Sequence, residues 1–139
     1  MPNRRPLLLV LSLCLGQSLL AGEVAAPTVA KILRMIANNS GQAKIACQDA
    51  EVVAELTKLG VTQDHEAKVV WAINDGEVTK AVRANRMVIC GQVSQIALGA
   101  SIAIVAEGGY PVIYLKPSNA TVSQVKIPDA VLKIGKVVK

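Results

Sequence analysis

The residues of this chain that could do chemistry are its cysteines, its one histidine and a few carboxylates that follow apolar runs. Cys90 closes the run Met87-Val88-Ile89-Cys90 and opens the loop Gly91-Gln92-Val93-Ser94-Gln95-Ile96. A phosphatase or sulfurtransferase would place its nucleophilic thiolate at such a position. That chemistry also needs a cation to hold the oxyanion and a group to lower the thiol pKa, and the loop contains neither arginine, lysine nor histidine. A catalytic Cys90 is therefore poorly supported. Neither Cys47 nor Cys90 belongs to a Cys-x-x-Cys pair, which removes the usual signature of a thioredoxin-type or zinc site.

A structural bridge is the better use of the two thiols. If the strands that end in Cys47 and Cys90 are neighbours, as the first and third strands are in a sheet of order 2-1-3, the thiols approach each other at the strands' carboxyl ends. Such a bridge would stabilise the fold by roughly 4 kcal/mol in the chain-entropy model. A Cys47–Cys90 disulfide is the expectation, with two buried free thiols as the other reading. His65 stands between Asp64 and Glu66 in a polar link. Adjacent residues point in different directions and no second ligand is evident, so it reads as a surface histidine, and no metal or cofactor is expected. Asp49, Asp75 and Gly91 follow apolar runs, in the crevice where open α/β sheets hold ligands, and form a weak candidate binding set. Both aspartates also suit helix caps. No acid–base or nucleophile–base pair assigns a reaction, and the chain is expected to be non-enzymatic.

The elements that would position these residues follow from periodicity. Val29, Ile32, Leu33 and Ile36 recur at helical spacing before the stop signal Asn38-Asn39-Ser40-Gly41. Residues 44–47 read as a strand, and Asp49 caps a helix with Val52, Val53, Leu56 and Leu59 on one face and Gly60 at its end. A polar link over residues 62–66 leads to residues 68–73, which are apolar without alternation, as in a strand covered on both faces. Asn74-Asp75-Gly76 turns into a helix over residues 77–84, and residues 87–90 form a further buried strand. Residues 101–106 and 111–115 flank Gly108-Gly109, which supplies the positive φ values of a two-residue hairpin. Pro111 should lie at an edge or outside the ladder. Residues 116–124 read as a loop with a helical turn, and Pro128 opens a final helix carrying Val131, Leu132, Ile134 and Val138. The expected fold is an α/β three-layer sandwich, with parallel strands followed by a C-terminal antiparallel hairpin.

Arg4 and Arg5 precede an apolar segment over residues 7–20, followed by Ala21, Gly22, Ala25 and Ala26. The segment is too interrupted to span a bilayer and reads as a signal peptide, residues 1–26 with cleavage near 21–26. The remainder, residues 27–139, is expected to be one periplasmic domain with no stable membrane span. The formal charge is +5 at pH 7, with one Trp and two Tyr. Scattered basic residues and few aromatics give no nucleic-acid footprint.

Residues 87–138 resemble the C-terminal half of the YfiR/HmsC-like family of exported bacterial proteins. The resemblance lies in Gly99-Ala100-Ser101-Ile102-Ala103-Ile104-Val105 before Glu107-Gly108-Gly109, in Pro111-Val112-Ile113-Tyr114-Leu115, and in Lys126-Ile127-Pro128 leading to Val131-Leu132-Lys133-Ile134-Gly135-Lys136-Val137-Val138. It implies a periplasmic α/β domain, often dimeric and disulfide-bonded, that regulates a membrane-bound signalling protein such as a diguanylate cyclase. The alternative expectation is a small-solute-binding accessory domain of a transport system.

Overall fold

The structure, a computed structural model, describes residues 23–139; the expected signal-peptide segment up to residue 22, with Cys14, lies outside the described residues. Helix α1 (Ala26–Asn39) is followed by β1 (Lys44–Cys47), α2 (Ala50–Lys58), β2 (Thr62–Gln63), β3 (Val69–Ala72), α3 (Asp75–Arg83) and β4 (Met87–Cys90). A 3-10 helix (Val93–Leu98) leads to β5 (Ile102–Glu107) and β6 (Tyr110–Leu115). A second 3-10 helix (Pro117–Ser123), α4 (Asp129–Ile134) and β7 (Lys136–Val137) complete the chain. The seven strands form one sheet of order β2-β1-β3-β4-β5-β6-β7, parallel except at the β5–β6 pair, where the direction reverses.

Strands β3 and β4 are buried at all four positions, which is why their sequences do not alternate. One face carries Val69, Trp71, Met87, Ile89, Ile102 and Ile104 against α1 and α2. The other carries Val70, Ala72, Val88, Cys90, Ala103 and Val105 against α3, Ile96 and Ala100. The architecture is thus the expected three-layer α/β sandwich with a C-terminal antiparallel hairpin. Helix α1 fits its sequence pattern closely: Leu33, Ile36, Ala30 and Ala37 are fully buried on one stripe.

The hairpin follows from local chemistry. Gly108 and Gly109 adopt φ of 61° and 84°, as a type I′ turn requires, and Glu107 pairs with Tyr110 across it. Pro111 pairs with Ala106 on β5, while β7 reaches β6 only at Tyr114 and Leu115. The missing proline amide therefore falls outside the β7 ladder.

Three expectations need correction. Residues 62–66 are not wholly a link, because Thr62 and Gln63 form β2 on the outer side of β1. Two exposed polar residues carry no burial signal; β2 is held by pairing to Lys44 and Ile45, and the Gln63 side-chain amide donates to the Cys47 carbonyl. The second long strand, β3, takes the place beside β1 that was expected for the strand ending in Cys90. Finally, the terminal helix stops at Ile134, and Gly135 with extended backbone (φ −89°, ψ 159°) turns the chain into β7. The apolar residues after Gly135 thus serve an edge strand rather than a helix face.

Gly99 caps the first 3-10 helix at φ 117°, and an added Cβ would stand 2.8 and 2.9 Å from the Val82 methyls of α3. Left-handed strain and overpacking act together there, so Gly99→Ala is expected to destabilise by about 2–4 kcal/mol. Urea unfolding checks this as a lower midpoint with an unchanged slope.

Candidate functional site

The carboxyl ends of β1, β3 and β4 open into a cleft of about 410 Å³. Its position follows from the topology. The chain leaves β1 through α2 toward β2, on one side, whereas β3 lies on the other, so the loops after β1 and β3 diverge and leave a crevice between them. Asp49, Glu51 and Val52 come from the turn and first helical residues after β1. Trp71, Ala72 and Ile73 come from the end of β3, and Gly91, Gln92 and Gln95 from the segment after β4. Glu23, Val24 and the start of α1 form the remaining wall.

Asp49 has two jobs. As N-cap of α2 its Oδ1 accepts from the Val52 amide at 3.4 Å, and its Oδ2 accepts from the Trp71 indole N–H at 3.4 Å. A carboxylate at this place also complements the positive end of the helix. Trp71 is 7% exposed and packs in the core cluster, yet its edge also lines the cleft. Gly91 lines the cleft with Trp71 behind it; a Cβ there would stand 3.8 Å from the indole, an ordinary contact.

Asp75 is placed differently from the expectation. The N-cap of α3 is Asn74, whose Oδ1 accepts from the Glu77 amide at 2.8 Å, while Asp75 is already helical. This frees the Asp75 carboxylate, which accepts from Gln95 Nε2 at 2.9 Å. Asp75 therefore stands behind the cleft and orients a lining residue. Gln95 is 3% exposed, and with Nε2 committed to Asp75 its Oε1 has no hydrogen-bond partner among the described residues. Sequence reasoning missed Gln95, Gln92 and Glu51. Their one local signal is position, within a few residues of a strand's carboxyl end.

The disulfide expectation is overturned. Cys47 and Cys90 are free and buried. Cys47 pairs in register with Trp71, and Cys90 with Ala72, so β3 runs between them. Two strand spacings put them roughly 9–10 Å apart, beyond the Cα separation a disulfide tolerates. Their side chains also enter different layers, Cys47 on the α1–α2 face and Cys90 on the α3 face. Burial raises both thiol pKa values to about 11; backbone hydrogen bonding at Asp49 and at Gln92 acts in the opposite direction but does not offset it. Neither is an activated nucleophile.

A second cleft of about 430 Å³ lies toward α3, lined among others by His65, Glu66, Glu77, Lys80 and Arg86. Arg86 donates to the His65 carbonyl at 2.7 Å and lies 3.7 Å from Glu66, which tethers the loop to the start of β4. His65 itself is exposed, as expected of a surface loop. Among the described residues no group of three or more His, Cys, Asp or Glu could hold a metal ion, and no helix is long and apolar enough to cross a membrane.

Among solved structures this chain is similar to the ABC domain in complex with L-Trp from Streptococcus pneumonia, at 12% identity and a TM-score of 0.64. The alignment covers 82% of this chain and 62% of that one. It is also similar to a conserved domain protein from Vibrio cholerae O1 biovar eltor, at 14% identity and a TM-score of 0.58, covering 82% and 60% respectively. The chain thus spans about three fifths of the length of these structures, and at such identities the likeness establishes the α/β fold. No family model matches the sequence, and no curated protein does.

The thiol geometry has two measurable consequences. After unfolding without reductant, iodoacetamide is expected to label both Cys47 and Cys90, read by peptide mass mapping; a cross-linked Cys47–Cys90 peptide would refute the geometry. Between about pH 9 and 11 the unfolded chain loses thiol protons that the native protein keeps. The folded state then binds more protons, so stability falls as pH rises through this window. The urea midpoint should decline there, and less steeply in a Cys47→Ala/Cys90→Ala variant.

Proposed function

We propose that this protein is a non-enzymatic binding module for a small solute, held in the cleft at the carboxyl ends of β1, β3 and β4. The carrying observation is the coincidence of that cleft with the point where the strand order reverses around β1. A volume of about 410 Å³ suits a metabolite-sized ligand. The lining combines an indole and aliphatic side chains with a few placed polar groups, the mixture that fixes the orientation of a small molecule. The likeness to an ABC domain solved with L-Trp supports a binding role. The export segment read from the sequence gives the compartment of this reading, the periplasm.

Asp49 and Gly91 act in the cleft, and Asp75 acts through Gln95. The reading needs no covalent chemistry, in keeping with two buried thiols whose pKa values lie well above neutrality. A second reading, modulation of a membrane-bound signalling protein such as a diguanylate cyclase, rests on the YfiR/HmsC-like resemblance of residues 87–138. Its support on the surface is the uncovered apolar side chains Leu132, Ile134 and Val137, which are 40%, 63% and 61% exposed within that stretch. Recovery of such a membrane protein in a pull-down through the full chain, lost in an Ile134→Ser/Val137→Ser variant, is the result expected of it.

Trp71 is the one tryptophan of the chain and lines the cleft, so its emission reports occupancy directly. A panel of free amino acids, amines, small carboxylates and sugars should contain at least one solute that changes Trp71 emission and raises Tm by several degrees. Ligand at one hundred times its Kd stabilises by about 2.7 kcal/mol. A panel in which no solute moves either signal would overturn the reading.

A further inference from the structure

The charge in the cleft names a ligand class. Beyond the expected export segment its lining carries the carboxylates of Asp49 and Glu51, and it contains no lysine, arginine or histidine. This concentration of negative charge occurs in a chain whose formal charge is +5, so it does not follow from composition. The second cleft makes the contrast plain, since there Lys80, Arg86 and His65 stand opposite Glu66 and Glu77. The three salt bridges of the described residues involve Lys44–Asp64, Lys58–Glu55 and Arg86–Glu66, and none engages Glu23, Asp49 or Glu51.

Two observations independent of the carboxylates point the same way. Gln95 is 3% exposed, lines the cleft and has its amide nitrogen held by Asp75, which leaves a carbonyl oxygen as the end available to a donor. A ligand group that reaches this oxygen must therefore bring an N–H or O–H. Trp71 meanwhile presents an indole edge, and Ile73, 49% exposed, leaves an apolar wall uncovered at the rim. Carboxylates beside an apolar indole edge suit an ammonium group carried on an apolar body, the charge meeting the carboxylates and the body covering the wall.

From these features we infer that the cleft takes an organic cation, an amine with an apolar or aromatic body, rather than an amino-acid zwitterion or a carboxylate. This inference rests on the cleft being a solute site. The ammonium group would be shared between the Asp49 and Glu51 carboxylates, with Gln95 Oε1 as an acceptor and Trp71 and Ile73 against the body. A zwitterion would bring its carboxylate beside Asp49 and Glu51, with no basic side chain in the lining to pair it. Only the amides at the start of α2 would be available, and Asp49 already caps one of them.

The test uses the full chain and three probes of one shape: phenethylamine, L-phenylalanine and 3-phenylpropionate. None absorbs where tryptophan is selectively excited, so Trp71 emission and titration calorimetry both read binding. Phenethylamine is expected to bind at least tenfold more tightly than either of the others. Asp49→Asn/Glu51→Gln should weaken it by about ten- to hundredfold, the range of a lost charge-assisted hydrogen bond. Asparagine keeps the helix cap but cannot also accept from the Trp71 indole, so Glu51→Gln alone, which leaves Asp49 and Trp71 as they are, is measured by calorimetry beside it and should also weaken phenethylamine. Glu66→Gln, in the other cleft, should leave binding unchanged. Equal or tighter binding of 3-phenylpropionate, or no loss in the Asp49/Glu51 variant, would overturn the cation assignment while leaving the cleft as a solute site. If none of the three probes binds but another solute moves Trp71 emission, the ligand class is wrong and the cleft stands; if no solute at all does so, both fall.

Discussion

The structure depends on the burial of β3 and β4 on both faces. All four positions of each strand are shielded from water, so each strand presents one set of side chains to α1 and α2 and the alternate set to α3. Burial on that scale is the dominant stabilising term of such a domain. It also leaves no room for exposed polar chemistry within the strands. What remains free for function is their ends, where the backbone leaves the sheet and side chains regain access to solvent. The cleft and the core are therefore consequences of one arrangement.

The same alternation decides the fate of the cysteines. A strand reverses the direction of its side chains at every residue. Register places Cys47 against Trp71 and Cys90 against Ala72, adjacent residues of β3, so the two thiols enter opposite layers. Once buried they behave as small apolar groups, and the low-dielectric surroundings that push their pKa to about 11 make them poor nucleophiles at neutral pH. Export would permit a disulfide, but strand register forbids this one.

Trp71 and Asp49 join the core to the cleft. Trp71 sits in the larger apolar cluster, while its N–H reaches the carboxylate that also caps α2. Asp75 and Gln95 make a comparable link between α3 and the segment after β4. Lining groups braced by a helix start or a packed strand keep their geometry without a ligand, which lowers the ordering cost of binding.

Much of this was legible in the sequence. The unbroken apolar runs over residues 69–72 and 87–90 determine buried parallel strands, Gly108-Gly109 determines the hairpin, and Asp49 with Gly60 delimits α2, because each is a local preference of backbone or burial. Asp49 and Gly91 were singled out by their position after apolar runs, and both line the cleft. Tertiary structure alone decided the rest. Thr62 and Gln63 become a strand only because β1 offers them a ladder, and that short strand moves β3 between the two cysteines. Asp75 turns from an expected cap into the support of Gln95 because Asn74, one residue earlier, takes the cap. Pairing order and cap choice depend on contacts between residues far apart in the chain or on competition between neighbours, and neither is written in the periodicity of any one segment.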